Sequence, residues 1–257
     1  MFGLFRRSGA GVDVASFSEC GPVRSENQDH FFADRRSLVF CVADGMGGGE
    51  GGGRASEMVC DEVSSAASCK GGFLERAREV DEAVRRADRK VKLYAEKAGF
   101  SQMGSTATVF VVEGEGARRA VVGNIGDSRL YRLRDGELSV LTRDHTVENE
   151  LAGRSGPGAG RAAFARRMSA LAHVLTRAVG VGEEATLDWR KVDVRAGDVY
   201  MLCSDGVYGY VRPSDLRDAL AHRGDAARMS ARVRRLVAAG GAHDNYTAVI
   251  VKIGDLA

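Results

Sequence analysis

The chain has 257 residues, 44% hydrophobic and 28% charged, the profile of an ordinary soluble globular protein with length enough for one large core. Its formal net charge of +2 excludes bulk capture by nucleic acid or by an anionic membrane. Five cysteines (Cys20, Cys41, Cys60, Cys69 and Cys203) are odd in number and form no C-x-x-C pair, so buried thiols in a reducing cytoplasm are expected rather than disulfides. The apolar stretch within residues 1–7 is too short for a signal peptide and no run approaches membrane-spanning length, which makes cytoplasmic residence the expectation.

Residues 12–17 read as a first strand, followed by the polar connector Gly21-Pro22-Val23-Arg24-Ser25-Glu26-Asn27-Gln28-Asp29. Phe31-Phe32-Ala33 and residues 38–43 resemble a strand pair split by the charged turn Asp34-Arg35-Arg36. The second member has the length and β-branched content of a buried strand, and it stops at Asp44, where a glycine-rich turn opens (VFCVADGMGGGEGGG, 39–53). A carboxylate at a strand tip is a common metal or catalytic position. Glycines let the main chain approach a ligand, so the bare carbonyl of Gly45 can serve as an oxygen donor beside Asp44. The alternative is a flexible loop with one solvated aspartate. A phosphate-binding P-loop needs Lys and then Ser or Thr after its glycines, but Arg54-Ala55-Ser56 leads into Glu57-Met58-Val59-Cys60. A dinucleotide fingerprint carries no strand-tip carboxylate, and Asp44 repels a pyrophosphate.

Residues 55–63 and 73–98 look helical. In the second, Phe73, Ala77, Val80, Val84, Ala87, Val91 and Tyr94 alternate steps of four and three, an apolar stripe on one face. Glu75, Arg78, Glu82, Arg85 and Arg89 on the other face read as solvated charge. Strands follow at 106–112 and at 120–125, the latter ending in Gly126-Asp127-Ser128-Arg129. A hairpin joins 130–133 to 138–141 through an Asp-Gly turn. From 142 to 169 the pattern breaks down, with Gly153, Gly156, Pro157, Gly158 and Gly160 marking a mobile loop whose end carries Arg161, Arg166 and Arg167. Strands at 187–194 and 199–203, the second running into Ser204-Asp205-Gly206, precede helices at 214–222 and 225–239. His243-Asp244-Asn245 then introduces a last strand at 247–253. With no internal repeat and no linker, this order fits a single α+β domain of two sheets with helices outside.

Asp44, Asp127 and Asp205 each follow an apolar strand and sit beside glycine, and Asp244 precedes the final strand. One such aspartate is usually a turn or cap residue; the repetition suggests convergence at one rim. Packed carboxylates repel one another and need a compensating cation. The donors on offer are oxygens without a Cys/His cluster, which points to magnesium or manganese rather than structural zinc. Two such ions bridged by one aspartate can hold a water and lower its pKa enough to yield hydroxide near neutrality. Arg24 is the candidate phosphate clamp, because guanidinium grips phosphate oxygens bidentately; an exposed loop arginine is the alternative.

RSENQD (24–29), DGMGG (44–48), GSTA (104–107), GNIGDSRLY (123–131), TRDH (142–145), LTRAVG (175–180), LCSDGV (202–207) and HDNYTAVIV (243–251) occur in the order seen in the type-2C, metal-dependent Ser/Thr protein phosphatases, the PPM family. The chain resembles the bacterial branch of that family over nearly its whole length. The resemblance implies a four-layer αββα sandwich, two antiparallel β-sheets flanked by helices, with a core of about 12–253 and a flap at about 147–169. It also implies a phosphatase that hydrolyses phosphoserine and phosphothreonine in proteins by direct, in-line attack of a metal-activated hydroxide. By the same resemblance Asp44 bridges two Mn2+ or Mg2+ ions, the Gly45 carbonyl binds the first, and Asp205 and Asp244 bind the second. Arg24 takes the substrate phosphate, Asp29 orients metal-bound water, and Asp127 with Asp205 holds a third, weaker ion. The implied partners are phosphorylated Ser/Thr proteins, an opposing Ser/Thr kinase among them, with no nucleic acid, no membrane and a monomeric enzyme.

Three positions depart from the family pattern. Gln28 stands where many members have a glutamate ligand, Met46 where animal enzymes carry a histidine proposed as general acid, and Gly49 where bacterial members often have histidine. Protonation of the leaving group is then expected from a metal-bound water, and His145 is read as a structural hydrogen-bonding residue. Two competing readings are a metal-free binding module, against which the intact Asp44, Asp205 and Asp244 argue, and a relative dedicated to one phosphorylated regulator of transcription.

Overall fold

A computed structural model describes residues 11–47, 50–114, 118–154 and 174–254. In chain order come β1 (Val12–Glu19), β2 (Asp29–Asp34), β3 (Val39–Met46), α1 (Gly51–Ala67), α2 (Phe73–Ala98), β4 (Gly104–Ser105), β5 (Ala107–Val112) and β6 (Arg119–Ile125). They are followed by β7 (Arg129–Arg134), β8 (Glu137–Val140), α3 (Val147–Arg154), β9 (Asp188–Asp193) and β10 (Val199–Cys203). The last elements are α4 (Asp205–Tyr208), α5 (Pro213–Leu220), α6 (Ala226–Ala239) and β11 (Tyr246–Ile253).

The strands form two antiparallel sheets, one in the order β1-β11-β10-β7-β8 and the other β2-β3-β5-β6-β9, with β4 attached to β3. Because side chains alternate along a strand, each sheet offers two faces. Phe40 and Val42 of β3 meet Phe110, Tyr200, Val249 and Val251 in a core between the sheets. Val39, Cys41 and Ala43 point the other way, into a layer shared with α1 and α2. On the opposite flank Met201, Cys203, Ala248 and Ile250 pack against Leu216, Leu220, Val233 and Val237 of α5 and α6. The result is helix, sheet, sheet, helix, as expected from the sequence. Central strands buried on both faces read as continuous apolar runs, without alternation.

The stripe read for residues 73–98 is the buried face of α2, where Val80, Val84, Ala87 and Val91 are fully buried, and Gly99 closes the helix at φ 76°. Its charged face is less free than expected. Arg85 bonds Asp81 at 3.3 Å and Glu184 at 3.1 Å, and Arg89 bonds Glu184 at 3.3 Å, tying the helix to a later turn. Asp88, buried among the apolar residues, accepts the Gly180 N–H at 2.7 Å and holds the same segment.

Three boundaries differ from the sequence reading. β3 continues through Asp44 to Met46 because Gly45 and Met46 pair with Ser105 and Gly104, so Asp44 lies inside the strand. α1 starts at Gly51 rather than near residue 55, since its glycines serve close packing. A Cβ on Gly45 meets the Gly52 carbonyl oxygen at 2.1 Å, and one on Gly52 meets Gln28 Oε1 at 2.5 Å. α3 and α4 were not read at all: the first begins a glycine-rich stretch, and the second is only 4 residues long. Gly48 and Gly49, the flap beyond residue 154 as far as 169, and Arg161, Arg166 and Arg167 lie outside the described residues. Among the described residues no helix is long and apolar enough to cross a membrane.

The inter-sheet core gives the first expectation. Phe110 is fully buried, its ring 4.6 Å from that of Tyr200 and 6.4 Å from that of Phe40. Phe110→Ala should lower unfolding free energy by about 3–5 kcal/mol, measured as a shift in urea midpoint at unchanged slope; a loss below about 1 kcal/mol contradicts the assignment of that core.

Candidate metal centre

Antiparallel pairing brings the aspartates to one rim. Asp29 and Asp44 are partners in the β2–β3 register. Like charges directly opposite one another destabilise a sheet, so this pair needs compensation. Asp127 follows β6, Asp205 is the first residue of α4 after β10, and Asp244 precedes β11. β10 and β11 are neighbours, and Ser204 donates its N–H to the Thr247 carbonyl at 3.1 Å, which sets Asp205 close to Asp244. Gly206 makes room, because a Cβ there stands 1.9 Å from the Asn245 carbonyl oxygen.

The electrostatics show how near these groups lie. Burial, and then the charges of Asp29, Asp205, Asp127 and Asp244, hold the Asp44 carboxyl well above the usual carboxylate range. Burial is also the main cause of the shift of Asp29 to about 6, with the Asp205 charge adding to it against hydrogen bonds from Ser204 and Thr247. Burial together with Asp205 and Asp144 pushes Asp127 to about 7. Asp205 is raised by burial and by Asp244. At the rim Arg24 donates to Asp244 Oδ2 at 2.7 Å; that bond and the Asp244 charge raise the guanidinium pKa, with Asp205 and Asp44 adding to it.

Supporting groups that the sequence reading missed are mostly small and hydroxylated. Ser204 Oγ donates to Asp29 Oδ2 at 2.7 Å and accepts the Thr247 N–H at 3.0 Å. The Asp44 N–H donates to Thr106 Oγ1 at 2.9 Å, and Thr106 Oγ1 lies 2.8 Å from Ser128 Oγ. Asn245 accepts the Gln28 N–H at 2.9 Å and donates to the Cys20 and Glu26 carbonyls, both at 2.9 Å, so it holds the RSENQD loop. Arg129 pairs with Asp144 at 2.7 Å and stacks 3.7 Å over the Tyr208 ring, while Tyr208 donates its hydroxyl to the Asp127 carbonyl at 3.0 Å. The only available signal was a polar residue in or beside an apolar run, such as the two threonines of TATVFVV (106–112) and the asparagine of HDN (243–245).

His145 is structural, as expected. Its Nδ1 accepts the Gly126 N–H at 3.1 Å, which leaves Nε2 to carry the proton toward Asp188 Oδ2 at 3.0 Å. Burial lowers its pKa and keeps the ring neutral.

The donor set fits hard divalent cations. Its donors are carboxylate and carbonyl oxygens, and its buried like charges call for positive compensation. Asp29 Oδ1 is buried without a hydrogen-bond partner, an opening for a bound water. Among the described residues no three Asp, Glu, His or Cys side chains form a complete ion cage. Magnesium and manganese do not need one, since they keep several waters and use few carboxylates.

A family model described as Protein phosphatase 2C matches residues 23–244. The chain belongs to the protein phosphatase 2C family. Over 245 residues it is 34% identical to the serine/threonine protein phosphatase PstP of Mycobacterium tuberculosis, covering 94% of this chain but only 45% of that protein's length. It superposes on PppA of Pseudomonas aeruginosa with a TM-score of 0.83 at 31% identity, covering 95% of this chain and 99% of PppA. The PstP catalytic domain in complex with 2 manganese ions superposes with a TM-score of 0.80 at 31% identity, with 95% and 99% covered. The family resemblance and the sandwich read from the motifs are thus borne out, and in this member of the family the motif residues Asp29, Asp44, Asp127, Asp205, Asp244 and Arg24 form one electrostatic cluster.

The raised carboxyls make the metal-free protein sensitive to pH. Asp29 titrates at about 6 in the folded chain against an ordinary 3.8, so its neutral form stabilises the fold below pH 3.8, and that contribution is lost as pH rises through about 6. His30 and His145, whose pKa values burial lowers, act in the opposite sense and require a matched control. In EDTA, Asp29→Asn should therefore gain on the native protein by on the order of 1–2 kcal/mol between about pH 5 and about pH 8. Paired thermal melts at the two pH values check this; a gap that stays constant contradicts it.

Proposed function

We propose that this chain is a metal-dependent protein serine/threonine phosphatase that hydrolyses phosphoserine and phosphothreonine by attack of water on phosphorus. The observation that carries the reading is the unpartnered, buried Oδ1 of Asp29 on the strand position opposite Asp44. Asp44, the Gly45 carbonyl, Asp205 and Asp244 are the residues that would hold a pair of divalent ions, with Asp127 and Asp205 offering a weaker third site. When bound, Mn2+ or Mg2+ neutralises these carboxylates and acidifies a coordinated water.

The protein's own groups divide the remaining work. Asp29 Oδ2 is occupied by Ser204, which fixes the carboxylate plane and leaves Oδ1 to accept a proton from the attacking water. Arg24, about half exposed, spends one N–H on Asp244 and has others for phosphate oxygens. Asp44 and Asp205 lie near one another and partly exposed, so a cation arriving at the rim meets both. Met46 has no titratable proton, and both His145 nitrogens are engaged, so the leaving oxygen takes its proton from water. The substrates are phosphorylated Ser/Thr proteins, an opposing kinase among them. The serine/threonine phosphatase PstP and its manganese complex support this reading.

Two substitutions test it together on a phosphopeptide at saturating manganese. Asp44→Asn should cut turnover roughly a thousandfold, equivalent to ~4 kcal/mol of transition-state stabilisation. Arg24→Ala should raise KM more than it lowers kcat and should weaken product inhibition by phosphate. Near-normal turnover of Asp44→Asn contradicts the metal assignment, and an unchanged phosphate response removes Arg24 from the site.

A further inference from the structure

Among the described residues β9 is the outer strand of its sheet, paired on one side only, with β6. The register that directs the Val194 N–H to the Arg118 carbonyl, at 2.9 Å, turns the N–H and C=O groups of Trp189 and Lys191 away from β6. Among the described residues nothing pairs with them; the next outward carbonyl, that of Asp193, is already bonded to Arg134 at 2.9 Å. Along this open edge runs a groove of about 570 Å³ between β9 and α2, with Leu74, Ala77, Val121 and Trp189 as its apolar lining. Trp189 is 37% exposed and Leu74 60% exposed, so two large apolar side chains meet solvent at the same place. None of the residues assigned to the metal centre lines this groove.

Its charges are unevenly satisfied. Asp81 accepts the Trp189 Nε1–H at 2.9 Å and Arg85 Nε at 3.3 Å, and Glu82 reaches the same arginine at 4.0 Å. The acids of the groove therefore share one arginine that lies outside it. Arg78, Arg190 and Lys191 have no acidic partner among the described residues, Arg190 donating instead to the Leu141 carbonyl at 3.3 Å, which leaves three unpaired cations around the apolar floor.

We propose that this edge and groove form a docking site for an extended segment of a partner protein whose groove-facing side chains, at every second position, are apolar and acidic in turn. Such a segment adds a strand to β9 through the outward main-chain groups of Trp189 and Lys191. On the face toward α2, every second side chain of the guest falls in the groove, apolar ones against Trp189 and Leu74 and acidic ones beside Lys191 and Arg78. Charge complementarity selects the acidic guest and rejects a basic one.

Trp189 is the only tryptophan in the chain and reports on its own site. A capped peptide of about eight residues with threonine at every second position and valine and glutamate taking turns between, and its counterpart with lysine in place of glutamate, are titrated into the full-length protein while tryptophan emission and calorimetric heat are followed. The acidic peptide should saturate both signals, and hydrogen exchange should slow at the Trp189 and Lys191 amides. The basic peptide should do neither. Arg78→Glu combined with Lys191→Glu, both at exposed positions, should weaken binding at least about tenfold with melting temperature unchanged. Equal binding of both peptides, or binding indifferent to the double substitution, overturns the proposal. So does an acidic peptide that leaves the signals flat, which makes Lys191 a guard against edge-to-edge pairing. Emission that changes with protein concentration alone, together with dimers in sedimentation, also overturns it in favour of a second copy as occupant.

Discussion

Asp29 and Asp44 face each other across neighbouring strands, and Asp127, Asp205 and Asp244 add their charges to the same recess. A sheet built for stability alone places apolar or oppositely charged side chains at such a pair. Here the metal-free protein meets the repulsion by keeping protons on carboxyls that water would strip, and by setting Arg24 over Asp244. A divalent cation satisfies the same repulsion without protons. The cluster is thus held ready for a cation and is least comfortable without one.

The rest of the fold makes that arrangement affordable. Apolar packing on both faces of β3 holds Asp44 on a strand that has no freedom to relax away from β2. The glycines at 45 and 52 let the start of α1 approach the strand to a distance no side chain permits. Hydroxyls and amides then stitch the recess from distant parts of the chain: Ser204 to Asp29, Thr106 to Asp44, Asn245 to the loop carrying Arg24. Each donates or accepts without adding charge, so the negative potential of the recess is preserved.

The sandwich was legible because two kinds of sequence signal agreed. The stripe of α2 and the apolar strand runs gave the layers, while the ordered motifs gave the family. The aspartates were legible for a simpler reason: a charged residue in or beside an apolar strand is conspicuous. What escaped were features set by pairing across the sequence. Ser204 and Asp29 are separated by 175 positions and Gln28 and Asn245 by 217, and no local pattern announces such a bond. Placing Asp44 beyond its strand had the same cause, since the pairing of β3 with β4 is what prolongs it. α4 escaped because one helical turn is too short to show a period. Trp189 read as an ordinary strand residue; its exposure beside α2 depends on β9 being last in its sheet.

The claim that these carboxylates form a site for paired divalent ions is tested most directly by crystals grown with manganese, with diffraction recorded at the manganese absorption edge. Two anomalous peaks should share the Asp44 carboxylate, one of them also in contact with the Gly45 carbonyl and the other with Asp205 and Asp244. A Asp29 oxygen should stand within hydrogen-bond distance of a water between them. Well-ordered density for all of these side chains with no anomalous peak at Asp44, or with manganese only elsewhere on the surface, contradicts the account.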